Sequence, residues 1–593
     1  MREKLIRHFI LSYCIKTKMN QIKILMNDRS YTSWNCLHPH NNEAVKCSDF
    51  PNLESLNPIE EKLFSGDVFI YVDDKINIIN SPLKSSSYIA GVLQLESNKT
   101  FGRTANNKRL LYKCIPDNKN FPVFLIPYEV KASFSKSLKN KYVVFKYDNW
   151  NDKHPNGVLV ETIGDVDKIE NFYEYQLYCK SLYHSITEFT NKTREQLNKQ
   201  TNDMFIEEIL KNSNFNIHDR RDEYIFTIDP QNSTDYDDGF SITEDENETK
   251  ISIYIANVYF WMEILSLWKS FSKRVSTIYL PDRRRPMLPT VLSDTLCSLQ
   301  ENQLRFALVM DVFLDKDCNV LRHSYSNALI KVKKNYVYED PKLLNKEKFY
   351  KKLFDISLKM DRNLKDSHDV VMYWMIYMNN QIGLEMIDKK IGIFRSATFV
   401  TPILRGNLNK DIDEETCRVI RSWNNVTGQY IVYNEDVNMD HEIMNLKSYV
   451  HITSPIRRLI DLLNQIIFMQ SSSLVNNVSD DAREFLTNWL AKMENINASM
   501  RSIRKVQTDC TVLHRCFTNP EIMERYYKGV TFDKSLKCDG SYEYMVYLKE
   551  LKMLSRTISQ VEIENHKEYD FHIYLFEDED KTKKKIRLQI VNT

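Results

Sequence analysis

The sequence predicts a multidomain α+β protein: OB-like β-barrels towards the N-terminus, a central mixed block, and a last small barrel at the C-terminus. Three observations carry this. The 593 residues correspond to several domains at roughly 100 to 200 residues each. Short β-type runs bounded by Asn, Asp, Ser and Pro occupy residues 66–165 and return beyond 525. Between them the apolar residues take up helical spacing.

The elements follow in order. Residues 1–65 are basic and then polar, broken by Pro51 and Pro58, and form an N-terminal segment with no assigned role. Cys36, His38, His40 and Cys47 are zinc-binding types, but their spacing matches no standard site, and the stretch reads as an ordinary loop. Runs at 67–72, 88–93, 110–112 and 122–127 define a first barrel over 66–130. The run at 141–147 opens a second over 131–200, which includes a charged helical connector. The central domain spans 201–525, with helices expected over 371–386 and 485–505. Strand patterning over 526–593 makes the final barrel.

Composition excludes several classes. Charged residues (27%) and hydrophobic ones (42%) describe a folded chain rather than a disordered one. Lys and Arg (81) nearly cancel Asp and Glu (80), which argues against binding polyanions by bulk charge. With 12 glycines and neither GxxxxGK[ST] nor GxGxxG, P-loop and Rossmann folds have no support. Eleven cysteines without a CxxC pair suit a reducing, cytoplasmic setting. No run reaches the ~20 apolar residues of a membrane span, and no cleavage site follows the short apolar stretch near the start.

The strongest chemical signal is Asp229-x5-Asp235-x-Asp237-Asp238, four aspartates in ten residues between apolar flanks. Carboxylates crowded in an anchored loop repel unless a cation neutralises them, so the cluster points to a divalent metal such as Mg²⁺. An EF-hand fails on register: with Gly239 at loop position six, Thr234 and Tyr236 stand where carboxylates are needed. A surface Asp-rich turn is the plain alternative.

The second signal is Thr453-Ser454-Pro455-Ile456-Arg457-Arg458. Ser454 reads as N-cap and Pro455 as first helical residue, so helix amides and two arginines would face one phosphate, with Asp461 fixing Arg457. The alternative is an amphipathic helix with surface arginines. A third stretch, Ser272 to Pro289, interleaves Arg274, Arg283, Arg284 and Arg285 with Tyr279. It suits a strand's phosphates and a stacked base, or simply a basic surface loop.

In this order the three stretches resemble the RNase II/RNase R exoribonucleases, whose catalytic module is the RNB domain. The resemblance covers about 220–525 and includes Tyr279-Leu280-Pro281-Asp282-Arg283 followed by Pro286-Met287-Leu288-Pro289. Lys141 to Lys180, with Asp148-Asn149-Trp150 and Ile163-Gly164-Asp165, resembles the second cold-shock-like domain of the eukaryotic exosome-associated branch. The leading residues are too few for that branch's endonuclease domain.

The resemblance implies a metal site at Asp229, Asp235, Asp237 and Asp238, with Asp237 and Arg457 catalytic. Tyr279, Arg283, Arg458 and Ser454 would contact RNA, and the final barrel would be a divergent S1-like one. It further implies a monomer that removes nucleoside 5′-monophosphates processively, 3′ to 5′, from single-stranded RNA with Mg²⁺, or Mn²⁺ in its place. Action within an RNA-processing complex, in the cytoplasm or a nucleus, is consistent with it. The alternative is an RNB-fold RNA-binding protein with weak or no turnover; a nuclease acting mainly on DNA is a third reading.

The chain departs from the family at Tyr254-Ile255-Ala256-Asn257-Val258, where His-Ile-Ala-Asp-Val is usual, and at Gln465, where a His is usual. The family's later catalytic glutamate has no assigned position. Arg274, Arg283, Arg284, Arg285, Arg457 and Arg458 are expected to line one channel leading to the aspartates.

Overall fold

The structure is a computed structural model that describes residues 21–45, 53, 55–72, 75–104, 108–130, 138–397, 412–425, 428–537, 540–577 and 584–591. The chain divides into two compact units. One comprises Met1–Tyr183, Val512–Arg525 and His572–Gln589; the other comprises His184–Thr511, Tyr526–Phe571 and Ile590–Thr593.

Strands β1 (Ile22–Met26), β2 (Trp34–Leu37), β3 (Val68–Val72) and β4 (Lys75–Asn80) form an antiparallel sheet in the order β2-β1-β3-β4. The alternation of buried Ile22, Ile24 and Met26 with partly exposed neighbours turns one face of β1 inward. A closed barrel follows, β5 (Ile89–Leu93), β6 (Leu110–Pro116), β7 (Phe124–Tyr128), β8 (Lys141–Asn149) and β9 (Asn156–Asp165), in the order β5-β6-β7-β9-β8.

The strands therefore group differently from the expected division. Part of the 1–65 segment pairs with β3, and one barrel takes strands from both sides of residue 130. The reason is β9, in which only Gly157 is buried and no clean alternation shows. At Gly157 in β9 a Cβ would lie 2.7 Å from the Phe145 ring, so the glycine admits the close approach that closes the barrel. The zinc-type residues gain no support: Cys47 lies outside the described residues. Among the described residues no three or more His, Cys, Asp or Glu are placed to hold a metal.

Helices Ile169–Cys179, Thr187–Leu197 and Asn202–Lys211 form the connector. The central sheet then comprises β10 (Ile217–Asp219), β11 (Ile225–Asp229), β12 (Asp238–Glu244), β13 (Thr249–Ala256), β16 (Leu304–Leu314) and β17 (Val320–Val337). Its order is β10-β17-β11-β12-β13-β16, with β16 also paired to β17, so that the sheet closes on itself. A small hairpin, β14 (Ile278–Tyr279) and β15 (Arg284–Arg285), leaves it between β13 and β16.

Helices Ser367–Asp388, Leu459–Ser471, Asp480–Leu490 and Met493–Thr518 make the later half. Strands β18 (Ile393–Ser396) and β19 (Gln429–Val432) pair between them. The last barrel is closed by β20 (Tyr526–Leu536), β21 (Tyr542–Leu548), β22 (Met553–Ser559), β23 (Glu568–Glu577) and β24 (Lys584–Ile590), in the order β20-β21-β22-β24-β23. Ile420 and Trp423 of the helix Glu414–Asn425 pack against its Val530, Phe532, Met545 and Tyr547. Among the described residues no helix is long and apolar enough to cross a membrane.

One expected helix start moves. The helix after Ser454 begins at Leu459 with Arg458 in the N-cap position, and residues 455–457 form a turn closed by Arg457 N–H to Ser454 O at 3.2 Å. Pro455 opens that turn rather than the helix, and Ser454 is not the cap.

Candidate active site

β11 and β12 are antiparallel neighbours, held by buried Ile225, Phe226 and Ile228 on one and Phe240 and Ile242 on the other. Asp229 is the last residue of β11 and Asp238 the first of β12, so the connecting loop returns the chain to the place it left. Asn232 supplies the turn with a left-handed φ of 68°. The ladder thus brings Asp229 back to Asp237 and Asp238.

Asp237 and Asp238 are buried, at 2% and 7% exposure. Burial pushes Asp237 up to about 8, against the opposing pull of Arg457 and the Ile456 N–H, with repulsion from Asp235 and Asp238 adding to the rise. Burial likewise pushes Asp238 up to about 6. Asp229 is raised well above the ordinary range by burial and then by repulsion from Asp238 and Asp237. One carboxylate oxygen on Asp229 and one on Asp238 are buried without a hydrogen-bond donor, whereas Asp237 Oδ2 meets the Arg457 guanidinium. These crowded, mutually repelling carboxylates match a hard divalent cation in donor type and charge, although no three of them stand gathered at metal-ligand spacing among the described residues.

Arg457 faces this group. Its Nε lies 3.0 Å from Asp237 Oδ2, its Nη2 donates to Ser454 Oγ at 2.9 Å, and its side chain is 46% exposed. Ile456 N–H donates to Asp237 Oδ1 at 3.0 Å. Asp461, expected to fix Arg457, instead takes Arg458, with Nε to Oδ2 at 2.9 Å and Nη2 to Oδ1 at 2.9 Å. The same Asp461 accepts from Ser454 N–H at 2.8 Å. Arg458 and the buried Ser454 therefore build the turn that aims Arg457.

Asp235 is drawn to the basic loop: Oδ1 pairs with Arg284 Nη1 at 2.7 Å and Oδ2 accepts from Tyr279 Oη at 3.3 Å. Tyr279 is partly exposed at the rim. The other expected cations have local duties. Arg285 is buried in an ion pair with Asp282 at 2.6 Å, and Arg274 donates to the carbonyls of His184 and Pro286. Arg283 is exposed, 3.8 Å from Asp282. The six arginines do not form one free basic path, because folding gives four of them a carboxylate of their own, Arg284 to Asp235, Arg285 to Asp282, Arg457 to Asp237 and Arg458 to Asp461.

Tyr338 was not visible as a site residue in the sequence. The parallel pairing of β11 with β17 sets Asp229 opposite Val337, and Tyr338 N–H donates to Asp229 O at 3.2 Å. Burial and then the charges of Asp238 and Asp229 raise its phenol, and its ring stacks on His368 at 3.7 Å. Only the sheet register brings it there. The departures at Tyr254, Asn257 and Gln465 fall in the core: Tyr254 donates to Glu223, Asn257 to Asn327 and Gln465 to Ala256 O.

A sheet closed on itself with buried aspartates at a strand junction, preceded and followed along the chain by β-barrels, defines a class that the comparisons name. The RNB domain matches residues 217–370, and the Dis3-like cold-shock domain 2 matches residues 111–175. The chain therefore carries an RNB domain and a Dis3-like second cold-shock domain. Ribonuclease R of Mycoplasmopsis pulmonis is 25% identical over 242 residues, 40% of this chain and 33% of that protein. Matches to the first curated relatives span a third or less of their length. Mycoplasma genitalium RNase R, solved with ribose-methylated single-stranded RNA, shares the fold over 96% of this chain and all of its own, with TM-score 0.66 at 16% identity. Yeast Ssd1, described as a pseudonuclease, shares it over 93% of this chain and 80% of its own, with TM-score 0.58 at 13% identity.

Proposed function

We propose that this chain is a divalent-metal-dependent exoribonuclease that hydrolyses single-stranded RNA from the 3′ end, processively, to nucleoside 5′-monophosphates. The observation that carries this is the trio Asp229, Asp237 and Asp238, with an unpartnered buried oxygen on Asp229 and on Asp238, facing the half-exposed Arg457. Its likeness to ribonuclease R supports the substrate class.

Asp229, Asp237 and Asp238 would hold the cation, Mg²⁺ or Mn²⁺, which when bound activates water and neutralises charge on the scissile phosphate. Arg457, aimed by Asp237 and Ser454 Oγ, offers its remaining N–H donors to the phosphate as charge builds there. The exposed Tyr279 ring offers a stacking face to the terminal base.

A second reading, RNA binding without turnover, is favoured by one observation: Arg284 and Arg457 already neutralise two of the four aspartates. Incubating 5′- and 3′-labelled single-stranded RNA with Mg²⁺ separates the two. Exonuclease action yields mononucleotides at once from the 3′ label and a shortening ladder from the 5′ label; bound but intact RNA supports the second reading. A deoxyribonucleotide strand in the same assay tests the preference for RNA.

A further inference from the structure

Arg284 holds two carboxylates at once. Nη1 binds Asp235 at 2.7 Å and Nη2 binds Asp294, which lies on the helical turn Val291–Leu296 and also accepts from Ser293 Oγ. All three groups are largely withdrawn from water, with side chains 24%, 11% and 25% exposed for Arg284, Asp235 and Asp294. Tyr279 and Arg284 are cross-strand partners in the β14–β15 hairpin, so phenol and guanidinium reach Asp235 from one short ladder. The basic loop therefore acts on the aspartate cluster through a clamped cation rather than through a mobile surface charge.

We propose that Arg284 is a positioning residue that sets how tightly the aspartate cluster takes a divalent cation. The inference rests on the proposed cation site at Asp229, Asp237 and Asp238. Arg284 cancels the charge of Asp235, so an incoming cation meets a cluster one charge less negative than it would be without Arg284. In a poorly solvated site such a charge is weakly screened. Asp294 sets the strength of the opposition, because it takes up half of the guanidinium fork.

The test is Mn²⁺ titration of the full chain without RNA, followed by the electron paramagnetic resonance signal of free Mn²⁺, with thermal melting to verify folding. Arg284→Met should lower the Mn²⁺ dissociation constant about five- to tenfold, while Arg284→Lys, which keeps the charge, should stay within about twofold of wild type. Asp294→Asn should raise the constant roughly two- to threefold, because Arg284 then leans wholly on Asp235. If Arg284→Met binds Mn²⁺ no more tightly than wild type, or Asp294→Asn binds it more tightly, the inference is overturned. Should Arg284→Met fail to fold, the lysine and asparagine variants decide. A wild-type chain that binds no Mn²⁺ overturns the proposed cation site itself, and the role of Arg284 with it.

Discussion

Arg457 and Arg458 are neighbours in sequence and opposites in environment. Arg457 is half exposed and leans on Asp237, whose carboxylate is otherwise crowded by its own kind. Arg458 faces the other way, into the protein, where Asp461 is fully buried and also ties down the Ser454 N–H. The first pair joins two groups whose charges have further work at the rim; the second is closed on itself and shapes the turn. The difference teaches that a two-arginine motif divides into one presented charge and one anchor, and that the anchor determines where the presented charge points.

The comparison can be broken by separating activity from stability. Asp237→Asn is expected to reduce RNA hydrolysis about 10³-fold or more while RNA binding persists, measured with labelled RNA and by filter binding. Its unfolding midpoint in urea should not fall, since the change removes a repelled, buried charge. Arg458→Met, by contrast, leaves Asp461 buried and unpaired, and should cost about 3–5 kcal/mol of stability in the same urea experiment. A loss below about 1 kcal/mol would show that the pair is no anchor. Arg457→Gln is expected to lower turnover about 10²-fold with little change in urea midpoint.

Titration sharpens the same contrast. Asp237 and Asp238 are raised in the folded protein to about 8 and about 6, above roughly 3.9 in the unfolded chain. Each therefore favours folding while protonated. That contribution is complete below about pH 4 and is lost as the pH rises through 6 and then 8. In a chelator-containing buffer, urea midpoints should fall between pH 5 and pH 8.5, and Asp237→Asn should flatten the upper part of that fall. The smallest effect is expected for Tyr279→Phe, which keeps the ring and loses only a 3.3 Å hydrogen bond to Asp235. Turnover should change by no more than about threefold, following the modest net worth of one exposed hydrogen bond.

Much of the architecture was legible because it is written locally. The strands at 68–72, 89–93, 110–116 and 141–149 follow their apolar runs, and the long helix Ser367–Asp388 follows its periodicity. Of the strands not picked out before residue 200, β2 and β4 are short and partly polar, β9 shows no clean alternation, and β1 alternates but spans only five residues. The grouping of strands into barrels was misjudged for that reason. Pro455 suggested a helix start, yet Ile456 N–H is spent on Asp237 and the turn tightens before the helix begins.

The sequence by itself determined the aspartate spacing, the apolar flanks that bury it and the periodicities of most elements, because these depend on residues a few positions apart. Tertiary structure alone decided that Arg457 meets Asp237 and Arg284 meets Asp235. Ile456 and Asp237 are 219 positions apart, and nothing local distinguishes Arg457 from Arg458 or marks Asp235 as the partner of Arg284. Those pairings follow from sheet register and from the burial of Asp461, and Coulomb energy at a few ångströms in a poorly solvated interior makes them selective.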